Sequence, residues 1–233
     1  MIGPELYIAN AVAGWTMTDY VSEPMPGVTR IDTPRTTRYV LRRAGIDVLE
    51  LLDGTEPHRR AIVEDSFGSP TPKLPDSVTA KHMPVMLRPA GPAATTACEG
   101  VQVERVSTVD DLETAEQIIV KGFPVQGDVA VGDLLPAKAL GQPGWIAWLA
   151  TRNGQPAASC YTVDDGASVG VYLLATVPEH RSAGLGRAIM TAAMNQNPSR
   201  PSTLVATDAG APLYRSLGFV DVSPAVWYFR TAS

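Results

Sequence analysis

The chain has 233 residues, enough for one large domain or two small ones, and its 45% hydrophobic and 18% charged residues are typical of a globular protein with a core. A net charge of −5 at pH 7 excludes any global attraction to nucleic acids or to anionic lipid. The two cysteines, Cys98 and Cys160, have neither the number nor the spacing of a disulfide framework or a metal site, so we expect reduced thiols in a cytoplasmic protein without a metal.

The sequence carries no recognisable targeting or membrane-spanning segment. The amino terminus has no basic stretch followed by an apolar run, which a signal peptide would need. No stretch reaches the ~18 uninterrupted apolar residues of a membrane helix. We therefore expect a soluble protein that binds neither nucleic acid nor membrane.

Residues 1–97 give weak structural signals. They predict a short helix from Leu6 to Val12, strands at 36–41 and 46–52, a helix at 58–67 and a strand at 78–88. A run of five arginines is interpreted as a solvated strand face, because eleven acidic residues outweigh ten basic ones in this half. These arginines are Arg30, Arg35, Arg38, Arg42 and Arg43.

The small, turn-rich stretch 90–100 is interpreted as a linker, which divides the chain into domains 1–97 and 98–233. After it, the pattern predicts a strand from Val101 and a helix through Ile119, capped by Asp110 or Asp111. The further predictions are a loop at 123–144 with a short helix near 134–140, strands at 145–151 and 157–163 joined by Asn153-Gly154, a strand at 169–176, and final strands within 220–229.

Two glycines lie where the strand 169–176 gives way to a helix. Leu185, Ala188 and Ile189 begin an apolar helical face that continues to Ala193. The first amides of such a helix have no intrahelical partner, and the helix dipole is positive there, so an anion such as a phosphate is the natural ligand. Gly184 and Gly186 allow close backbone approach, while Arg181 and Arg187 can add charge-assisted bonds.

A second segment, 204–219, is typical of a strand, a turn and a two-turn helix. Pro212 suits the first turn of that helix, and Gly218 suits the residue after its end. The helix carries Tyr214 within the pattern Leu-Tyr-x-x-Leu-Gly-Phe.

The two segments together resemble the GCN5-related N-acetyltransferase (GNAT) superfamily over roughly residues 101–230. Arg-x-x-Gly-x-Gly at 181–186 is similar to that family's acetyl-coenzyme A pyrophosphate loop, and 213–219 is similar to its C-terminal signature. The resemblance implies an α/β fold, with a mixed, mostly antiparallel twisted sheet flanked by helices and preceded by a smaller mixed N-terminal domain. The N-terminal half itself is similar to a degenerate copy of the same fold.

The resemblance also implies roles for individual residues. The backbone of Ala175, Thr176 and Val177 would bind the pantetheine arm of acetyl-coenzyme A, and Tyr214 would be the general acid. The pyrophosphate would lie on the loop formed by Arg181, Ser182, Ala183, Gly184, Leu185, Gly186 and Arg187.

No general base stands out. Tyr172 and Leu174 occupy the strand on which some relatives carry a glutamate. Glu179 and His180 are interpreted as loop-surface residues, and Cys160 as a small buried side chain.

The resulting hypothesis is an acetyl-coenzyme A-dependent N-acetyltransferase, in which an already neutral primary amine of a small molecule or a peptide attacks directly. The alternatives are a non-catalytic coenzyme A-binding or regulatory module, and an enzyme with another acyl donor or a hydroxyl acceptor. The loop 123–144, in which Asp128 and Asp133 could attract a cationic amine, would shape the acceptor site. Because the family commonly forms dimers, a homodimer is a further expectation.

Overall fold

The computed structural model describes residues 3–18, 20–21, 25–95, 98–123 and 129–232. Its helices are α1 (Glu5–Thr16), α2 (Val48–Asp53), α3 (Val109–Gly122), α4 (Leu185–Asn195) and α5 (Ala211–Ser216). Its strands are β1 (Val28–Asp32), β2 (Thr36–Leu41), β3 (Arg60–Asp65), β4 (Val78–Arg88), β5 (Val101–Arg105), β6 (Trp145–Arg152), β7 (Gln155–Asp164), β8 (Val169–Thr176), β9 (Ser202–Val205) and β10 (Val220–Arg230).

These strands form one sheet in the order β1-β2-β3-β10-β4-β9-β8-β7-β6-β5. Two neighbouring pairs, β2–β3 and β8–β9, are parallel, and every other pair is antiparallel. Each parallel pair is joined by a crossover helix, α2 in the first and α4 in the second. The predicted α/β fold with a mostly antiparallel mixed sheet is therefore confirmed.

The two halves of the chain exchange a strand at the middle of this sheet. β10, from the end of the chain, lies between β3 and β4, whereas β4 pairs on its other side with β9. The unit β1-β2-α2-β3 consequently has the same order and strand directions as β7-β8-α4-β9, and each is completed by a strand from the other half. The division of the chain into domains at residue 97 stays a prediction, and both halves contribute to this one sheet.

The helices cover the two faces of the sheet in separate groups. Val226 and Tyr228 of β10 pack with α2 residues, while Ala225 of the same strand packs with α1. α4 and α5 pack in one core with Met86 of β4, which lies on the same face of the sheet as α2. α3 packs with Trp145 on the opposite face. Thus α1 and α3 lie on one face, and α2, α4 and α5 lie on the other.

Two predictions for the N-terminal half are wrong. The segment predicted as a strand at 46–52 is the helix α2, which begins because the Asp47 carboxylate accepts hydrogen bonds from the amides of Leu49 and Glu50 at 2.9 and 3.2 Å. The helix predicted at 58–67 is the strand β3, whose apolar side chains are buried between β2 and β10.

Most predictions for the C-terminal half are confirmed, with local corrections. Asn153 and Gly154 form the β6–β7 turn with φ of 51° and 78°. α3 is capped by Thr108, whose hydroxyl accepts the Asp111 amide at 3.1 Å, and not by an aspartate. The short helix near 134–140 is a 3₁₀ turn at Ala137–Ala139, and part of the loop, including Asp128, lies outside the described residues. In the described part of the chain, no helix has the length and apolar character needed to cross a membrane.

Candidate active site

The site begins where β8 and β9 separate. These strands pair only at Val169–Ser202 and Gly170–Thr203, and then diverge. At the same level the β7–β8 register shifts, and Leu173 takes a positive φ of 53°. The gap opens into a cavity of about 880 Å³ lined by β8, β9 and their neighbours, so backbone groups of β8 that a full parallel partner would have used face the cavity.

The glycine loop lies beside this gap, between β8 and α4. Ser182 and Gly184 have φ of 62° and 83°, and the first helical hydrogen bond runs from the Ala188 amide to the Gly184 carbonyl at 3.0 Å. The amides of residues 185–187 precede that bond and have no helical partner, which fits an anion. A side chain at Gly184 would come within 2.6 Å of Cys98 Sγ, so close approach as well as conformation requires glycine there.

The two arginines of the loop bond to neighbouring elements. Arg181 donates to the Thr176 carbonyl at 3.3 Å and to the Gly122 carbonyl at 2.9 Å, which ties the loop to the ends of β8 and α3. Arg187 donates to Ser216 Oγ at 2.7 Å. Both arginines therefore position the loop, a role that was not predicted from the sequence. Their contact with a phosphate stays a prediction.

Tyr214 lies on α5, at the same cavity. Pro212 stands in the first turn of this helix and Gly218, with φ of 89°, follows its end, as predicted. The tyrosine is 8% exposed, and its ring centre lies 5.9 Å from that of Phe219. Burial raises the pKa of the Tyr214 phenol well above its ordinary value, so the phenol keeps its proton at neutral pH.

The structure brings five of the predicted site residues to the cavity wall: Ala175, Thr176, Arg181, Gly186 and Tyr214. The remaining predicted residues, Val177, Ser182, Ala183, Gly184, Leu185 and Arg187, belong to the adjoining strand end and loop without lining the cavity. Val177 and Leu185 bury their side chains in the core, so only their backbone could contact a ligand.

The other candidates for chemistry lie elsewhere. Glu179 and His180 form a 3₁₀ turn before the loop and do not line the cavity. Cys160 is fully buried in the core, and burial raises its pKa, as expected for a packing residue. Among the described residues, no three His, Cys, Asp or Glu side chains come together in a way that could hold a metal ion.

An aromatic wall extends from the gap across β6, β7 and β8. Trp145 stacks on Tyr161 with ring centres 5.5 Å apart, and Tyr161 stacks on Tyr172 at 5.0 Å. The Tyr172 hydroxyl donates to Asn10 Oδ1 at 2.6 Å, which attaches α1 to this wall. Sequence reasoning missed the wall, because its rings come from three strands that the chain order alone does not align.

The N-terminal half supplies the far end of the cavity, which sequence reasoning also missed. Arg38, predicted to lie on a solvated strand face, lines the cavity together with Trp15, Glu64 and Trp227. The prediction was wrong for Arg38 because α1 covers this face of β2. The available signal was a single arginine inside the otherwise apolar and β-branched run of β2.

The cavity is reached from both faces of the sheet. Tyr7 and Trp15 line it from α1 on one face, while Gly186, Leu213 and Tyr214 line it from α4 and α5 on the other. It therefore passes through the β8–β9 gap, and two molecules could meet there from opposite sides. A glycine loop at a helix start beside such a gap is typical of a site for a phosphate-bearing ligand.

A comparison with protein families finds a matching domain in the C-terminal half. Residues 143–221 match the family model described as the acetyltransferase (GNAT) domain. This segment, which runs from just before β6 into β10, is similar to that domain. No curated protein sequence matches the chain.

Solved structures show the same fold over nearly the whole chain. A GCN5-related N-acetyltransferase from Kribbella flavida superposes with a TM-score of 0.67 at 18% identity and covers 100% of this chain and 98% of its own. A functionally unknown protein from Staphylococcus epidermidis gives 0.67 at 12% identity, over 91% of this chain and 94% of its own. A putative acetyltransferase of the GNAT family from Novosphingobium aromaticivorans gives 0.61 at 16% identity, over 97% and 96%.

Proposed function

We propose that this protein is an acetyl-coenzyme A-dependent N-acetyltransferase that acts on a primary amine. The observation that carries the proposal is the cavity that passes through the β8–β9 gap, with the glycine loop and Tyr214 on one side and an aromatic pocket on the other. Such a passage lets acetyl-coenzyme A and an acceptor amine approach one another from opposite faces of the sheet. The GNAT domain match at 143–221 supports acetyl transfer as the reaction.

The loop suits the phosphates of acetyl-coenzyme A. Its free amides at 185–187 can donate to a pyrophosphate, and Gly184 and Gly186 leave no Cβ between backbone and ligand. Ala175 and Thr176 line the cavity beside the strand gap, where we expect their backbone to bond the amide groups of the pantetheine arm. The thioester would then lie at the gap, where backbone amides of β8 can polarise its carbonyl.

The reaction proposed is direct attack. The neutral amine nitrogen forms a bond to the thioester carbonyl carbon, the carbon–sulfur bond breaks, and the amine loses a proton to water. Tyr214 can give its phenolic proton to the departing thiolate and is then reprotonated from water, so that in all one proton passes from the amine to the thiol. A strong base on β8 is not needed for an amine that arrives neutral.

A non-catalytic coenzyme A-binding module is the second candidate. It is favoured by β8, whose residues from Val169 to Thr176 include no carboxylate that could deprotonate an amine. An assay of thiol release from acetyl-coenzyme A across a panel of primary amines distinguishes the two. Release that depends on an amine supports the enzyme, whereas binding of acetyl-coenzyme A without release supports the module.

Variants at Ser182 test the placement of the cofactor loop. Ser182 is exposed and has a positive φ, a conformation that both Asp and Asn tolerate. Ser182→Asp should raise the KM for acetyl-coenzyme A by roughly 10-fold or more, because it brings a negative charge towards the phosphates. Ser182→Asn, of the same size without the charge, is the matched control. Equal KM values for the two variants would place the phosphates elsewhere.

A further inference from the structure

The far end of the cavity holds an arginine between two indole rings. The guanidinium carbon of Arg38 lies 5.4 Å from the ring centre of Trp15 and 5.3 Å from that of Trp227. Cation–π contact with two aromatic rings restricts the guanidinium and lowers the entropy lost when it binds a ligand. Arg38 is therefore positioned to bind an anionic group.

The strand register places charged side chains in one row beneath the cavity. Trp227 of β10 is directly opposite Glu64 of β3 on one side and opposite Lys81 of β4 on the other. Directly opposite residues point to the same face of a sheet. Glu64, Trp227 and Lys81 therefore all face α1 and the cavity, where they meet Arg38 from β2.

Glu64 is fully engaged, whereas Arg38 is not. The carboxylate is 3% exposed, pairs through one oxygen with Arg38, and accepts the Tyr7 hydroxyl at 3.2 Å through the other. Arg38 has five N–H donors, and among the described residues its hydrogen bonding is to Glu64 alone. Its side chain is 17% exposed and lines the cavity, so donors remain for a bound molecule.

The charge of the cavity wall is opposite in sign to that of the protein. Four basic and three acidic side chains line the cavity, whereas the whole chain has 19 basic and 24 acidic residues. One of the acids, Asp133, lies 3.7 Å from Arg35 outside the wall, and Glu64 is paired with Arg38. The wall therefore favours an anionic group at the end lined by Arg38 and Lys81.

The geometry points to an acceptor amine that also carries a carboxylate on an apolar or aromatic body. This inference rests on the proposed function and adds its substrate class. Arg38 binds the carboxylate, the stacked rings of Trp145, Tyr161 and Tyr172 pack against the body, and the amine extends to the β8–β9 gap. Arg38 is thereby a specificity-determining residue supplied by the N-terminal half.

The test measures binding without acetyl-coenzyme A, so its outcome is independent of any acetyl transfer. Calorimetry compares phenylacetate with phenylacetamide, which has the same shape but no charge. We expect the wild type to bind phenylacetate about 10-fold more tightly, the effect of one charge-assisted hydrogen-bonded pair.

Two variants assign the preference to Arg38. Glu64→Gln should tighten phenylacetate binding, because Arg38 no longer shares its charge with a carboxylate. Arg38→Gln/Glu64→Gln, which leaves no unpaired buried charge, should bind both probes equally. Arg42→Gln, at an exposed arginine just beyond β2, is the matched control and should keep the preference.

A thermal melt of each variant confirms folding. The inference would be overturned by equal wild-type affinities, by no phenylacetate binding, or by a preference that survives in the folded double variant.

Discussion

Two strand–loop–helix units of this chain share a topology and the loop pattern Arg-x-Ala-Gly. In β2–α2–β3 the loop is Arg-Arg-Ala-Gly-Ile-Asp at 42–47, and in β8–α4–β9 it is Arg-Ser-Ala-Gly-Leu-Gly at 181–186. The shared glycines, Gly45 and Gly184, have φ of 77° and 83°. We infer that the N-terminal unit is a second, degenerate copy of the C-terminal one.

The units differ in the residue that caps the helix. Asp47 caps α2, and its carboxylate accepts hydrogen bonds from the first amides of that helix. The cap residue of α4 is Gly184, which has no side chain and leaves the first amides of α4 free. A side-chain carboxylate thus satisfies in one copy what a ligand anion would satisfy in the other. The comparison teaches that one capping carboxylate can occupy the amides that a ligand anion would otherwise bind.

Introducing a carboxylate at the start of α4 should have the largest effect. Gly186→Asp should weaken acetyl-coenzyme A binding by at least ~100-fold, because the new carboxylate repels the phosphates at short range. Its Cβ would lie 3.2 Å from a methyl of Leu213, a side chain that can shift slightly. Gly186→Asn is the control for that crowding and should keep most of the affinity, as measured by calorimetry. Equal losses in both variants would assign the effect to packing.

Removing the proposed proton donor, Tyr214, should have the next largest effect. Tyr214→Phe keeps the contact with Phe219 but loses the hydroxyl, so we expect kcat to fall by ~10²-fold with little change in the KM for acetyl-coenzyme A. Steady-state thiol release measures both constants. An unchanged kcat would show that Tyr214 only packs.

Alkaline pH should lower the free energy of unfolding through four tyrosines that line the cavity. Burial raises the pKa of Tyr7, Tyr161, Tyr172 and Tyr214 above the usual value of ~10, so above that pH only the unfolded chain loses these protons. The contribution of these tyrosines to the free energy of unfolding should be constant below pH ~10. Above that pH it should fall by up to ~1.4 kcal/mol per pH unit for each tyrosine. Urea unfolding at pH 8 to 11 measures this. Two separate transitions would show that the halves unfold independently despite their common sheet.

Removing the capping carboxylate of α2 should have the smallest effect. Asp47→Ala removes the cap of α2 and should cost about 1 kcal/mol of stability, while Asp47→Asn retains most of it. Thermal unfolding measures the difference. Acetyl-coenzyme A affinity should be the same in both, and a loss confined to Asp47→Ala would mean that the N-terminal loop takes part in binding.

The C-terminal half could be predicted because its signals are local. Asn153-Gly154 fixes a hairpin, Pro212 and Gly218 bound a helix, and Gly184 with Gly186 marks a strand-to-helix junction. Each feature depends on the backbone preferences of residues a few positions apart. The glycine loop and the fold of this half could therefore be predicted from the sequence.

The N-terminal half could not be predicted because its structure depends on distant residues. α2 has six residues, too few to show a helical period, and β3 is a strand because β10 pairs with it from the far end of the chain. Arg38 was misinterpreted for the same reason, since Trp15, Glu64 and Trp227 are brought to it by the sheet.

The most direct test of the account is the stoichiometry of acetyl-coenzyme A binding by calorimetry, in the wild type and in Gly186→Asp. We predict one site per chain in the wild type and none in the variant, because α4, unlike α2, begins with amides that no side chain caps. Two sites per chain, or one site that survives Gly186→Asp in a folded protein, would contradict the placement of the site at the start of α4.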